Sequence, residues 1–232
     1  LKMADCVELL DEETVDGMQA ERGHDHDDHD DHDDHDDHDD HDDHDDHDDH
    51  DLHLGEVRDI DEHVWTSPKN AAAITAAIGE TLGSIDPIHQ SVYTDNAAAY
   101  VSELNALDQD FADFFASAPQ RPIVFGDRFP LRYFAAEYGL EYYAAFPGCS
   151  TQTEPSAATI AFLIRKVQET HVPTVWYIEF SNHLVADSIA EATGTETALF
   201  HSCHNVSQAD LDSGATYVSL MRQNLEQLRL HF

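Results

Sequence analysis

The sequence predicts an α/β fold in which helices cover both faces of a parallel sheet. From residue 121 onward, short apolar runs alternate four times with amphipathic stretches, a pattern typical of parallel sheets. A long Ala-rich stretch precedes them, in which Ala, Leu, Ile and Phe recur at the three- and four-residue spacings of amphipathic helices. In such sheets ligands bind at the carboxyl ends of the strands, so we expect the functional site there.

A helical region is expected over residues 68–118, and an α/β lobe over 119–232. Ser67 and Pro68 provide an N-cap followed by proline at the first helical position, and a break is expected near Asp86-Pro87. The predicted strands of the lobe are PIVFGD, LEYYAAF, TVWYIEF and ETALFHS. Its predicted helices are LRYFAAEYG, PSAATIAFLIRKVQETH, NHLVADSIAEATG and TYVSLMRQNLEQLRLHF.

Three segments precede the helical region. Residues 1–22 contain a partly apolar stretch followed by an acidic helix start, and we expect them to be the remnant of a preceding domain in an N-terminally incomplete fragment. Residues 23–55 form a His/Asp-rich tract that we expect to be disordered, because nothing in it can build a core. Residues 56–67 are a short connector that carries His63.

The His/Asp tract repeats histidine at every third position, mostly separated by Asp-Asp. Residues 24–53 contain 11 His and 18 Asp in 30 residues. Neutral imidazole suits Zn, Cu and Ni, and carboxylates add oxygen donors. The alternative is a solvated acidic linker that only keeps the protein soluble. Because acidity alone does not require regularly spaced histidine, the composition favours metal capture.

The chain is strongly acidic, with a formal net charge of -37 at pH 7. Outside the tract, 30 acidic residues still stand against 11 basic ones. This balance argues against nucleic acid as a partner, because phosphates require a positive surface, and it suits a cationic ligand. The sequence contains no run that reads as a signal peptide or a transmembrane segment.

Polar side chains that can bind metal collect where the predicted strands end. Glu179 ends the third strand, His201 and His204 follow the fourth, and His63 lies just before the helical region. Zinc requires three or four N, O or S donors at about 2.0–2.3 Å, which several strand ends together can supply. The alternatives are an ordinary surface role for His63 and imidazoles of His201 and His204 that bond backbone carbonyls.

The remaining candidates have plain structural alternatives. Glu179 and Asp127 can each pair with Arg128, and Asp127 can instead cap the next helix. Cys149 and Cys203 either form a disulfide or leave Cys203 as a thiolate ligand. The outer candidates for metal binding are Asp127, Cys203 and His183.

The segment DEHVWTSPKNA, residues 61–71, resembles the D-P-H-x-W-x-D-P-x-N-A motif of zinc/manganese ABC-transporter solute-binding proteins (cluster A-I). In that family the histidine of the motif binds metal and directly precedes a long helix that joins two α/β lobes. A His/Asp-rich loop shortly before the motif is typical of the zinc-specific members. The resemblance implies two parallel-sheet α/β lobes joined by a long linking helix, with the N-terminal lobe mostly missing here and residues 1–22 as its remnant.

The resemblance also implies a ligand set. It carries His63 over directly, but a second histidine usual in an F-H-x-A-[FY] pattern is replaced in the stretch FGDRF, residues 125–129. The motifs DRFPxRYF and HSCHN resemble a variant subgroup in which His201 or His204 compensates. Glu179 falls where manganese-type members have a ligating glutamate. We therefore predict His63, Glu179, His201 and His204 as metal ligands.

The resemblance implies, finally, an extracytoplasmic protein that captures Zn²⁺ and delivers it to a membrane permease without covalent chemistry. An aspartate usual after the last strand is replaced by the His201-to-His204 cluster, and nitrogen donors favour Zn²⁺ over Mn²⁺. We expect a monomer in which the tract collects metal or senses its level. The alternatives are a zinc buffer or metallochaperone, and a zinc-dependent hydrolase.

Overall fold

The computed structural model describes residues 1–18, 59–148, 150 and 154–232. It contains a four-stranded parallel sheet in the order β2-β1-β3-β4, which confirms the predicted α/β class. The strands are β1 (Ile123–Phe129), β2 (Tyr142–Pro147), β3 (Thr174–Tyr177) and β4 (Glu196–Leu199). The α-helices are α1 (Pro68–Ile85), α2 (Gln90–Ser117), α3 (Arg132–Tyr138), α4 (Ala157–Thr170), α5 (Leu184–Thr193), α6 (Gln208–Asp212) and α7 (Tyr217–His231). The predicted tract at 23–55 and Cys149 lie outside the described residues.

Helices cover both faces of the sheet because successive strand side chains point to opposite sides. Phe125 and Trp176 belong to a core formed with α2, α3 and α7, whereas Val124 and Val175 belong to a core formed with α4 and α5. All four side chains are at most 2% exposed, and full burial of such a side chain contributes about 1.5–3 kcal/mol. The two cores hold the strand ends in fixed positions.

The helical region begins and breaks where the sequence predicts. Ser67 caps α1, its Oγ accepting a hydrogen bond from the Asn70 backbone N–H at 3.3 Å, and Pro68 is the first helical residue. The region breaks at Asp86, and a short 3₁₀ turn at Pro87–His89 leads into α2. In the part of the chain that the structure describes, no helix is both long and apolar enough to span a membrane.

The N-terminal segment differs from the prediction. Residues 1–18 contain a 3₁₀ turn at Met3–Cys6 and a turn at residues 16–17 but no α-helix, so the acidic helix start expected after the apolar stretch is wrong. Asp11 forms an isolated antiparallel bridge with Ile60, and Met18 is buried in the larger core. These tertiary contacts replace the local helical bonds that the acidic residues suggested.

The strand ends also shift relative to the prediction. β1 continues to Phe129 with a register irregularity between Phe125 and Arg128, whereas β3 and β4 are shorter than expected. The short helix α6 was not predicted. As a result, Glu179 and residues 201–204 lie in loops beyond the carboxyl ends of their strands, on the side of the sheet where the connector before α1 lies.

Candidate metal site

A cavity of about 410 Å³ opens beyond the carboxyl ends of β1, β2 and β3. Its lining includes His63 from the connector, Glu179 after β3 and His204 after β4. Arg128, Ser202 and Gly148 complete the part of the wall nearest these side chains. Three of the four predicted ligands therefore border one cavity, at the edge of the sheet where the strand order predicts a ligand site.

His63 is held at the cavity wall by Asp61. The imidazole is 6% exposed and Asp61 is 2% exposed, and His63 Nδ1 lies 3.0 Å from Asp61 Oδ1. The same oxygen accepts the His63 backbone N–H at 2.8 Å. An Nδ1–H bond to a carboxylate fixes the tautomer and leaves Nε2 with its lone pair for a metal ion. The connector therefore presents His63 in the form that metal sites require.

His204 lies opposite His63, and Trp65 touches both rings. The His63 and His204 ring centres are 5.9 Å apart, and Trp65 stacks on His204 at 5.6 Å. Two imidazoles on one tetrahedral Zn²⁺, with Zn–N of about 2.0–2.1 Å, have ring centres roughly 5 Å apart. The separation of the two rings is thus about 1 Å larger than that value.

Glu179 borders the same cavity but bonds the loop that carries His204. Its Oε2 accepts the Ser202 backbone N–H at 2.7 Å, and its Oε1 accepts the Ser202 hydroxyl at 2.6 Å and the His204 N–H at 3.2 Å. The alternative partner Arg128 donates from Nε to the carbonyl oxygen of Ser150 at 2.6 Å. The carboxylate is thus embedded among loop donors at the edge of the site.

His201 lies behind this wall. Its Nδ1 accepts the Cys203 backbone N–H at 2.9 Å and lies 3.7 Å from Glu179 Oε1. Its side chain borders a different cavity of about 560 Å³ between β4 and α7, and that larger cavity holds none of the other predicted ligands. The structure therefore places His63, Glu179 and His204 on the wall of one cavity, with His201 behind that wall.

The outer candidates have structural partners. Asp127 bonds the backbone N–H groups of Arg128 (2.8 Å) and Ile178 (3.3 Å), which ties β1 to the end of β3. His183 contacts Asp187 at 2.8 Å on the first turn of α5. Cys203 is a free thiol whose pKa is raised to about 12 by burial and, secondarily, by the Glu179 charge, so without a metal ion it is protonated at neutral pH.

Two residues that sequence reasoning left without a role contribute to the site. Asp61 orients His63. The sequence feature that could have indicated this role is the position of the carboxylate two residues before the histidine, within the DEHVWTSPKNA motif. Trp65 contacts both imidazoles and donates from Nε1 to the carbonyl oxygen of Ser202 at 3.1 Å, a long-range contact with no local sequence signal. Across residues 1–18, 59–148, 150 and 154–232, no three His, Cys, Asp or Glu side chains form a ready-made metal cluster.

Comparison with known proteins assigns the chain to a family. The family described as "ZnuA: Zinc-uptake complex component A periplasmic" matches residues 2–230, almost the whole chain. The chain belongs to the ZnuA family. The resemblance inferred from the DEHVWTSPKNA motif is thereby confirmed, and the family is a substrate-binding component of zinc transport, not an enzyme family.

Relatives within the ZnuA family share about 30% of their residues with this chain. The zinc-binding lipoprotein AdcA of Streptococcus pneumoniae is 30% identical over 175 residues, which are 75% of this chain and 34% of AdcA. The high-affinity zinc uptake system protein ZnuA of Bacillus subtilis is 29% identical over 170 residues, 73% of this chain and 53% of that protein. The chain therefore spans about a third to a half of the length of these relatives.

Solved structures of ZnuA-family proteins share the fold. The Zn(II)-bound ZnuA-like domain of Streptococcus pneumoniae AdcA aligns with a TM-score of 0.63 at 29% identity, covering 74% of this chain and 63% of that one. The metal-dependent lipoprotein YcdH of Bacillus subtilis aligns with a TM-score of 0.65 at 29% identity, covering 75% and 65%. The predicted periplasmic-binding architecture is thus confirmed at the level of fold.

Proposed function

We propose that this ZnuA-family chain binds Zn²⁺ in the cavity between His63 and His204 as the solute-binding component of a zinc-uptake system. The observation that carries this proposal is the buried Asp61–His63 pair, which leaves Nε2 of His63 available for a metal ion. The ring centre of a second imidazole, His204, lies 5.9 Å from that of His63. Carboxylate–histidine pairs of this kind are the usual second shell of zinc sites. Binding and release of the ion involve no covalent chemistry.

Zn²⁺ is favoured over Mn²⁺ by the donors. Two neutral imidazoles suit Zn²⁺, whereas Mn²⁺ prefers sites dominated by oxygen. A relative whose structure is described as Zn(II)-bound supports the same ion for this chain.

Delivery to a membrane permease of the ABC type, outside the cytoplasm, is the transport role that we propose for this chain. The family is described as periplasmic, and relatives are named as lipoproteins or zinc-uptake proteins. The acidic surface suits this role because it raises the local concentration of cations. A monomeric state remains our expectation.

The His/Asp tract at 24–53 is proposed to collect zinc loosely and raise its concentration near the cavity. Its 11 histidines and 18 aspartates can bind several ions without a fixed geometry. The competing function is a zinc buffer in which the tract does all the binding. The density of histidine and aspartate in the tract supports the zinc-buffer function enough that it has to be tested directly.

The test is a calorimetric zinc titration of the full chain, of a variant lacking residues 24–53 and of His63→Ala. One tight site that survives removal of the tract and disappears in His63→Ala supports the transport proposal. His89→Ala is the matched control, because His89 also contacts a carboxylate through Nδ1 (2.7 Å to Asp86) but is 62% exposed and far from the cavity lining. Weak, multiple binding that vanishes with the tract would establish the buffer instead.

A further inference from the structure

Glu179 is a buried carboxylate surrounded by donors from a single loop. Its side chain is 8% exposed. It accepts bonds from the Ser202 N–H and hydroxyl, from the His204 N–H at 3.2 Å and from the Asn205 N–H at 3.4 Å. A buried carboxylate is costly unless it is hydrogen-bonded, so these contacts are what stabilise its charge in this position.

The 202–205 loop is shaped around this carboxylate. Cys203 has a left-handed backbone with φ of 59°, a conformation that turns successive N–H groups toward one concave side. The Cys203 N–H goes to His201 Nδ1, while the N–H groups of the three other loop residues go to Glu179. The loop therefore encloses Glu179 as an anion-binding nest.

The opposite side of the same loop is fixed by Trp65. Trp65 Nε1 donates to the Ser202 carbonyl oxygen at 3.1 Å, and Tyr217 donates its hydroxyl to the Trp65 carbonyl oxygen at 2.8 Å. Because Trp65 is two residues from His63 and stacks on His204, the loop is held between Glu179 and the connector. These contacts set the distance between the two imidazoles.

We propose that Glu179 is a positioning residue that acts on the bound metal through His204, by fixing the loop that carries it. This inference rests on the proposed binding of Zn²⁺ between His63 and His204. An ionised carboxylate has about four acceptor positions, and four donors of the loop occupy Glu179. Three of them converge on Oε1, among them the His204 N–H, and one on Oε2, so coordination of the ion through Oε1 would compete with the bond that holds His204.

A double-mutant cycle separates positioning from coordination. Zinc affinity of the full chain is measured by competition with a chelator strong enough to strip the loose sites, for wild type, Glu179→Gln, His204→Ala and the double variant. We expect Glu179→Gln to lower the affinity about 10–100-fold, as loss of an outer-shell partner typically does. In the His204→Ala background the same change should have no further effect, and a further tenfold loss there would overturn the proposal.

The metal environment provides an independent readout. X-ray absorption of the zinc-loaded protein should show less imidazole scattering in Glu179→Gln than in wild type, as in His204→Ala. Unchanged imidazole scattering with one oxygen donor lost would mean that Glu179 is a ligand and would refute the positioning role. Glu169→Gln, on the exposed side of α4 and 61% exposed, is the matched control and should behave as wild type.

A milder variant guards against a folding defect. Ser202→Ala keeps the carboxylate but removes the hydroxyl, which donates to Glu179 Oε1 at 2.6 Å and accepts the His204 backbone N–H at 3.2 Å. It loosens the same loop, so it should weaken binding several-fold only when His204 is present. Circular dichroism identifies any variant that fails to fold, and unchanged affinity in a folded Ser202→Ala protein would count against the proposal.

If wild type shows no tight site that depends on His63, the proposed function fails and the positioning role with it. If that site exists but Glu179→Gln and His204→Ala act independently, only the positioning role fails.

Discussion

Replacement of Asp61 by asparagine tests how the His63 imidazole is prepared for metal. Asp61 Oδ1 accepts both the His63 backbone N–H at 2.8 Å and the ring Nδ1 at 3.0 Å, inside a region where the two side chains are 2% and 6% exposed. Asparagine has nearly the same shape and its amide oxygen can still accept from Nδ1–H, but it carries no charge, so it raises the basicity of the imidazole less than a carboxylate does. We expect the Asp61→Asn protein to bind zinc about 10–100-fold more weakly, a loss of roughly 1.4–2.7 kcal/mol.

The assay for Asp61→Asn is chelator competition on the full chain, with Asp86→Asn as the control. Asp86 makes the same contact with His89 at 2.7 Å, but its side chain is 38% exposed at the tip between α1 and α2. Zinc affinity should be unchanged in Asp86→Asn, and Asp61→Asn should add nothing in a His63→Ala background. A folded Asp61→Asn protein that binds zinc as tightly as wild type would refute the reasoning, as would an equal loss in the control.

Three further measurements test the histidine ligands, a buried tyrosine and the packing of α5 on β1. Zinc affinity should fall as pH drops through the range near 6.5 in which imidazole usually gains a proton, and constant affinity down to pH 5 by titration would argue against histidine ligation. Burial, and then the hydrogen bond that its hydroxyl donates to Asp108 at 2.8 Å, raise the pKa of Tyr138 above its ordinary value near 10. The stability that Tyr138 contributes is therefore present below about pH 10 and is lost as the pH rises above it. The free energy of unfolding of Tyr138→Phe, measured with denaturant, should depend less on pH between 9 and 11 than that of wild type. Gly126→Ala should lower the melting temperature, with a cost of about 1–3 kcal/mol or more, because the added Cβ would lie 2.4 Å from Ala186 Cα; an unchanged melting temperature would mean that α5 moves away without cost.

Local signals determined the parts of the fold that the sequence predicted. The N-cap and proline at Ser67-Pro68 placed the start of α1, and the Asp86-Pro87 pair placed the break before α2. The alternation of apolar runs and amphipathic stretches predicted the parallel sheet, since each element carries its own periodicity. The N-terminal segment failed for the opposite reason, because Met18 and its neighbours are held by contacts distant in the chain.

The candidate site was predicted as a set of strand ends, but the sequence could not say which side chains face the cavity. His201 and His204 are three residues apart, with a left-handed Cys203 between them, and His201 borders the β4–α7 cavity whereas His204 borders the cavity of His63. Glu179 was expected at the site because a carboxylate at a strand end needs a partner, and this argument could not distinguish a metal ion from a nest of N–H groups. Such distinctions depend on loop dihedrals, for which the sequence has no periodic signal.

Gly126 occupies the position where the resemblance leads one to expect an imidazole, and the packing around it leaves no room for one. Position 126 lies within β1, where a Cβ would lie 2.4–2.8 Å from Ala186 backbone and side-chain atoms, so α5 packs directly against the strand backbone. A histidine cannot occupy that position without displacing α5, and Asp127 beside it is engaged with two backbone N–H groups. An imidazole that shares the cavity with His63 must therefore come from another strand end. Among the described residues that border the cavity, His204 carries the imidazole that we propose as the second ligand, and in that proposal the position of its loop matters more than the identity of the residues after β1.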